Sequence, residues 1–218
     1  ALFMQVVCSV PLALYANVSG QQMTADLILM ASAVSNLLTI LLFTMQKWHP
    51  FSLAYLKTKP FVTLYWTVLV AVAMLIPSAF LEEMIPESLT EDLVNMEAMM
   101  ASPWAILSVC IMAPIAEEIV CRGAIQRELV KYFSAIGSNN RFLANERRRT
   151  WLPLVITAML FSAMHGNPAQ MPHAFLIGLL LSWLAYCSGS IVPGILLHAI
   201  NNSLAVVMYH LYPQSVDM

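Results

Sequence analysis

Residues 104–123 read WAILSVCIMAPIAEEIVCRG, an apolar run that ends in two adjacent carboxylates, Glu117 and Glu118, and a guanidinium, Arg122. Such a run predicts a helix that crosses a bilayer, because a hydrocarbon core of about 30 Å needs about 20 apolar residues. A charged side chain at bilayer depth costs roughly 2.5–3.5 kcal/mol on insertion scales, so it indicates a functional group. The stretch therefore predicts a transmembrane helix that carries chemistry.

The composition of the whole chain is that of a membrane protein. Of its 218 residues, 60% are hydrophobic and 10% are charged, whereas soluble domains contain roughly 25% charged residues. The net charge of −2 offers no basic surface for nucleic acid, and the sequence contains no glycine-rich phosphate loop. These features exclude functions in binding nucleic acids and nucleotides. The four cysteines lack a CxxC spacing and are expected to be buried thiols.

The hydropathy pattern predicts an all-α fold, a polytopic bundle of about seven to eight transmembrane helices. We expect a single domain, 1–218, in which about 103–210 form the core that carries the motifs. The predicted spans are about 1–16, 24–45, 61–80, 103–124, 152–165, 172–188 and 191–210.

Loop charges predict the orientation in the membrane. The 46–60 loop carries three lysines and no acid, and the 131–150 loop carries five basic residues against Glu146, whereas 81–102 carries six acidic residues and no base. Short loops rich in Lys and Arg stay in the cytoplasm, so the N-terminus is expected inside. The acidic stretch also has apolar residues at helical spacing, which predicts a short amphipathic helix on the outer surface. The compact loops favour the plasma or inner membrane of a prokaryote.

The carboxylates of the first motif are predicted to differ in role. Glu118 and Arg122 are four residues apart and can pair on one helix face, while Glu117 points about 100° away. Because Arg122 neutralises Glu118, we predict that Glu118 is a structural anchor and that Glu117 is available as a base.

Two later spans carry further polar groups. His165 ends the sequence FSAMH, and His198 and Asn202 lie one helical turn apart in HAINN, where they share a face. A carboxylate with a histidine can activate a water, and a second histidine with a carboxamide can stabilise an oxyanion. These groups together indicate a peptide-bond hydrolase.

The same residues carry a resemblance to a known family. EEIVCR matches EExxxR, FSAMH matches FxxxH and HAINN matches HxxxN, in that order over about 115–205. The chain resembles the CPBP family of intramembrane proteases, which comprises the CAAX proteases and bacteriocin-processing enzymes related to the Ras-converting CAAX endopeptidase. Members commonly have eight spans, one more than we count.

The resemblance implies a glutamate endopeptidase that needs no metal and no cofactor, and that cleaves membrane-proximal or CAAX-like peptides. It implies that Glu117 and His165 activate the attacking water. It also implies that His198 and Asn202 form the oxyanion site, supported by the pair of Glu118 and Arg122.

Two other functions fit these residues. A zinc-dependent membrane hydrolase would use Glu117, His165 and His198 as ligands, although no HExxH motif is present. A non-catalytic membrane scaffold or bacteriocin-immunity-type partner would use the polar cluster only to bind a peptide or to hold helices together. His173 and His210 are interpreted as interfacial residues and are assigned no chemistry.

The predicted spans place Glu117 and His165 at different depths. Glu117 would lie near the inner face, whereas His165 would lie near the outer face if the fifth span began at Trp151. Tilt of the helices or a later start of the fifth span would bring the two residues together.

Overall fold

The computed structural model describes residues 8, 10–11, 14–15, 17–20, 23–46, 62–84, 98–137 and 141–211. These residues form helices and contain no strand, so the all-α prediction is confirmed. The main helices are α1 (Ala25–Met45), α2 (Val62–Ala73), α3 (Leu75–Glu83), α4 (consecutive segments Ile106–Met112, Ala113–Glu118, Ile119–Gln126 and Arg127–Ile136), α5 (Glu146–Ala163), α6 (Met171–Ser188) and α7 (Val192–Leu211). Most of the predicted span at 1–16 and of the predicted surface helix in 81–102 lies outside the described residues.

Four stretches in the described part of the chain are long and apolar enough to cross a membrane. They are Ala25–Met45, Val62–Leu81, Met171–Ser188 and Val192–Leu211. The corresponding predictions agree with these stretches to within one residue at each end. The second stretch is divided at Met74 into α2 and α3. Pro77, three residues after Met74, has no N–H to donate to the carbonyl of Ala73, four residues before it.

The predicted boundaries of the other two spans were wrong. Helix α4 continues to Ile136, well past 124, and α5 begins at Glu146, before 152. The early start of α5 has a local cause: the side chain of Asn145 accepts hydrogen bonds from the backbone N–H groups of Arg147 and Arg148. Lys131 and the arginines at 147–149, which seemed to mark a loop, therefore belong to the ends of longer helices.

The bounds of α4 and α5 allow the positions of Glu117 and His165 along this hairpin to be compared. Glu117 lies 19 residues before Ile136, and His165 lies 19 residues after Glu146. Because the two helices run in opposite directions from a short connection, equal counts correspond to similar distances along the hairpin. The helix bounds therefore reduce the difference in depth that was expected from the predicted spans.

Four helices converge on the ring of Phe161, in α5. Val120 of α4, Ile177 of α6 and Leu197 of α7 belong to the same buried apolar cluster. Helix α6 approaches α5 closely at Gly178, where a Cβ would lie 3.0 Å from the Phe161 ring and 3.3 Å from the Cα of Ala158. This cluster holds the helices that carry the polar motifs.

Candidate active site

A buried ion pair joins two residues of the first motif. Nη1 of Arg122 donates a hydrogen bond of 2.8 Å to Oε1 of Glu118, and both side chains are 0% exposed. Nη2 of Arg122 donates to the carbonyl of Gly178, also at 2.8 Å, and the guanidinium lies 4.5 Å from the centre of the Phe161 ring. The pairing expected from the i,i+4 spacing is present, and Arg122 also connects α4 to α5 and α6.

The two adjacent glutamates of the first motif face different surroundings. They end the α-helical segment Ala113–Glu118, which lies between two π-helical segments, Ile106–Met112 and Ile119–Gln126. Such π turns are rare and occur frequently at functional sites. The Glu118 side chain is fully buried, whereas that of Glu117 is 24% exposed.

The imidazole of His198 lies between these two carboxylates. Its Nδ1 is 3.4 Å from Oε1 of Glu118, and its Nε2 is 3.9 Å from Oε2 of Glu117. The residue is 4% exposed, and its ring meets that of Phe161 edge-on, with centroids 5.5 Å apart. The first and third motifs are thus in contact. His198 faces the partly exposed Glu117 on one side and the buried ion pair on the other.

His165 follows the C-terminal end of α5 and is more exposed than His198. Its Nδ1 lies 2.9 Å from the carbonyl oxygen of Phe161. Because a carbonyl only accepts hydrogen bonds, Nδ1 carries a hydrogen, and in the neutral imidazole Nε2 is then the acceptor nitrogen. The His165 ring also meets the Phe161 ring edge-on at 5.0 Å, so Phe161 positions both histidines.

Asn202 contacts a different part of α4. Its Nδ2 donates to the carbonyl of Val109 at 2.9 Å, and its Oδ1 accepts from Nδ2 of Asn201 at 3.5 Å. The structure therefore joins Asn202 to the first π-helical segment, one turn along α7 from His198.

Phe161, Gly178 and His173 belong to the site although the sequence interpretation gave them no role in it. Phe161 contacts Arg122 and both motif histidines. The imidazole of His173 interacts electrostatically with those of His165 and His198, and within the described part of the chain its buried Nδ1 has no hydrogen-bond partner. The sequence contains one signal that could have found His173. Ile177 lies four residues later, on the same face of α6.

The ligand set of the zinc alternative is not assembled. Among the described residues, no group of three His, Cys, Asp or Glu side chains is arranged so that it could hold a metal ion. Glu117, His165 and His198 are all described, and they do not form such a group.

Residues 99–204 match the family model for Rce1-like proteins, described as type II CAAX prenyl endopeptidase Rce1-like. Over this segment the chain is similar to the Rce1-like family. The Rce1-like segment includes all three motifs, so the family resemblance inferred from them is confirmed. Neither curated proteins nor solved structures provide a match to the chain.

The similarity to the Rce1-like family indicates what this segment does. The family implies a protease of the CAAX type that acts on peptide substrates at the membrane. Together with the four apolar helices, it indicates an integral membrane protein.

Proposed function

We propose that the protein is an intramembrane endopeptidase of the glutamate type that hydrolyses membrane-proximal or CAAX-like peptides. The observation that carries the proposal is the contrast between two adjacent glutamates. Glu118 is fully buried and bonded to Arg122, whereas Glu117 is 24% exposed and faces His198. A carboxylate held by a guanidinium is a poor base, while Glu117 is accessible to water and to a peptide.

We assign water activation to Glu117 together with His165. The hydrogen bond of His165 to the Phe161 carbonyl leaves its Nε2 as an acceptor for a water hydrogen. The equal numbers of residues that separate Glu117 from Ile136 and His165 from Glu146 support a shared task. In this scheme the water oxygen attacks the peptide carbonyl carbon as Glu117 accepts a proton.

His198 and Asn202 would stabilise the oxyanion that this attack creates. Nε2 of His198 lies 3.9 Å from Oε2 of Glu117, beyond hydrogen-bond distance, so a hydrogen on this nitrogen can be donated to an oxyanion in the space beside Glu117. The amide of Asn202 has two hydrogens, and the Val109 carbonyl accepts one of them. When the tetrahedral intermediate collapses, the C–N bond breaks and Glu117 returns its proton to the leaving amine.

We further propose that residues 1–218 form a single transmembrane domain in the plasma or inner membrane of a prokaryote, with the N-terminus inside. The scheme requires no metal and no cofactor, since every step uses a side chain of the site. Substrate and bilayer are the partners that this function needs.

Mass spectrometry of cleavage products tests the proposed reaction. Purified protein in proteoliposomes would receive a CAAX-like peptide with and without a prenyl group, in water enriched in ¹⁸O. We expect one ¹⁸O atom in the new carboxyl group of the product, and the preferred peptide identifies the substrate class. Intact peptides of both kinds would contradict the proposal.

A further inference from the structure

The π-helical start of α4 leaves one backbone carbonyl without its usual donors. The N–H of Ala113 donates to the carbonyl of Ser108, five residues earlier. The next residue, Pro114, has no N–H. The carbonyl of Val109 would otherwise accept from Ala113 in an α-helix, or from residue 114 in a π-helix. Because unsatisfied backbone groups are costly inside a bilayer, this carbonyl needs another donor.

Asn202 supplies that donor from a different helix. Its Nδ2 lies 2.9 Å from the Val109 oxygen, and its Oδ1 accepts from Asn201. Both ends of the carboxamide are thereby held, so the plane of the amide and the direction of its second N–H are fixed. The same bond ties α7, which carries His198, to α4, which carries Glu117.

We propose that Pro114 is a positioning residue that acts through Asn202. Because Pro114 has no N–H to donate to the Val109 carbonyl, the amide of Asn202 donates to this carbonyl instead. This hydrogen bond fixes the direction of the second hydrogen on the Asn202 amide. The inference rests on the proposed function, in which that hydrogen stabilises the oxyanion. Glu117 lies only three residues after Pro114, so the bond that orients Asn202 also relates α7 to the base.

Thermal stability in detergent tests the hydrogen-bond arrangement independently of catalysis. Asn202→Ala removes the donor to Val109 and should lower Tm. Pro114→Ala supplies a backbone N–H at the position from which a π-helix satisfies that carbonyl, so the double variant Asn202→Ala, Pro114→Ala should regain most of the lost Tm. Pro153→Ala, a proline inside α5, is the matched control and should give no such recovery.

Steady-state kinetics test the positioning role. In Pro114→Ala the backbone competes with Asn202 for Val109, so we expect kcat to fall roughly 10-fold while KM changes less than about twofold. Pro153→Ala should show no comparable loss confined to kcat. If the role of Pro114 were merely structural, Pro114→Ala would alter Tm but would not lower kcat while leaving KM nearly unchanged.

The outcomes distinguish this inference from the proposed function. An unchanged kcat in Pro114→Ala, or equal recovery of Tm by Pro114→Ala and Pro153→Ala, would overturn the role of Pro114. Full activity in Glu117→Gln would instead overturn the proposed function, and the Tm comparison would still decide whether Asn202 replaces the missing N–H.

Discussion

Nδ1 of His198 lies 3.4 Å from Oε1 of Glu118, the same oxygen that accepts the hydrogen bond of Arg122. The ion pair therefore does more than neutralise a charge, because it places a fixed negative oxygen behind the imidazole. The opposite ring nitrogen faces Glu117. A disturbance of the buried pair should consequently reach the catalytic groups through His198.

The first prediction concerns the buried pair itself. Arg122→Ala leaves Glu118 as an uncompensated charge in a side chain that is 0% exposed, and such losses cost on the order of 3–5 kcal/mol. We expect a large fall in Tm in detergent together with loss of cleavage. The double variant Glu118→Gln, Arg122→Met removes both charges and should recover much of the lost stability. An Arg122→Ala protein as stable as wild type would refute the anchoring role.

A second prediction follows from the close approach of α7 to Glu118. A Cβ at Gly194 would lie 2.7 Å from Oε2 of Glu118, so Gly194→Ala must displace a buried carboxylate. We expect a loss of roughly 1–3 kcal/mol, typical of overpacking, measured by thermal unfolding.

The matched background for this test is the double variant Glu118→Gln, Arg122→Met, in which the buried carboxylate and its ion pair are both gone. Gly194→Ala should cost less there, because a neutral side chain released from Arg122 can move aside. Equal costs in both backgrounds would show that the ion pair with Arg122 is not what holds the side chain at position 118 against the new methyl group.

A third prediction tests Phe161 as the residue that positions both histidines. Phe161→Leu keeps an apolar side chain but removes the ring that contacts Arg122, His165 and His198. We expect kcat to fall at least about 10-fold, since misplaced catalytic groups are costly. Phe175→Leu, in α6, is the control and should be nearly as active as wild type. Similar activities of the two variants would contradict the positioning role.

The sequence was sufficient to predict those features that depend on local spacing. The apolar stretches of α1, α6 and α7 were predicted to within one residue, and the pairing of Glu118 with Arg122 follows from helical geometry. The ends of α4 and α5 were not predicted correctly, because a hydropathy boundary marks where polarity changes. It does not mark where a helix ends, which for α5 is decided by the Asn145 cap.

Contacts between helices were beyond the sequence pattern. The bond from Asn202 to Val109 depends on the π-helical offset in α4, and the stacking of Arg122 on Phe161 depends on the register of α4 against α5. His173 was interpreted as interfacial because it follows Pro172, and only the packing of α6 reveals its proximity to the other two imidazoles.

The central claim is that Glu117, and not its neighbour, is the base. The most direct measurement is kcat/KM for peptide cleavage by Glu117→Gln and Glu118→Gln, each compared with wild type at matched amounts of folded protein. We predict that Glu117→Gln lowers kcat/KM by roughly 10²–10⁴, the usual contribution of a general base, while its Tm stays close to that of wild type. Glu118→Gln should instead lose stability while retaining more activity per folded molecule than Glu117→Gln. Cleavage by Glu117→Gln at the wild-type rate would contradict the account.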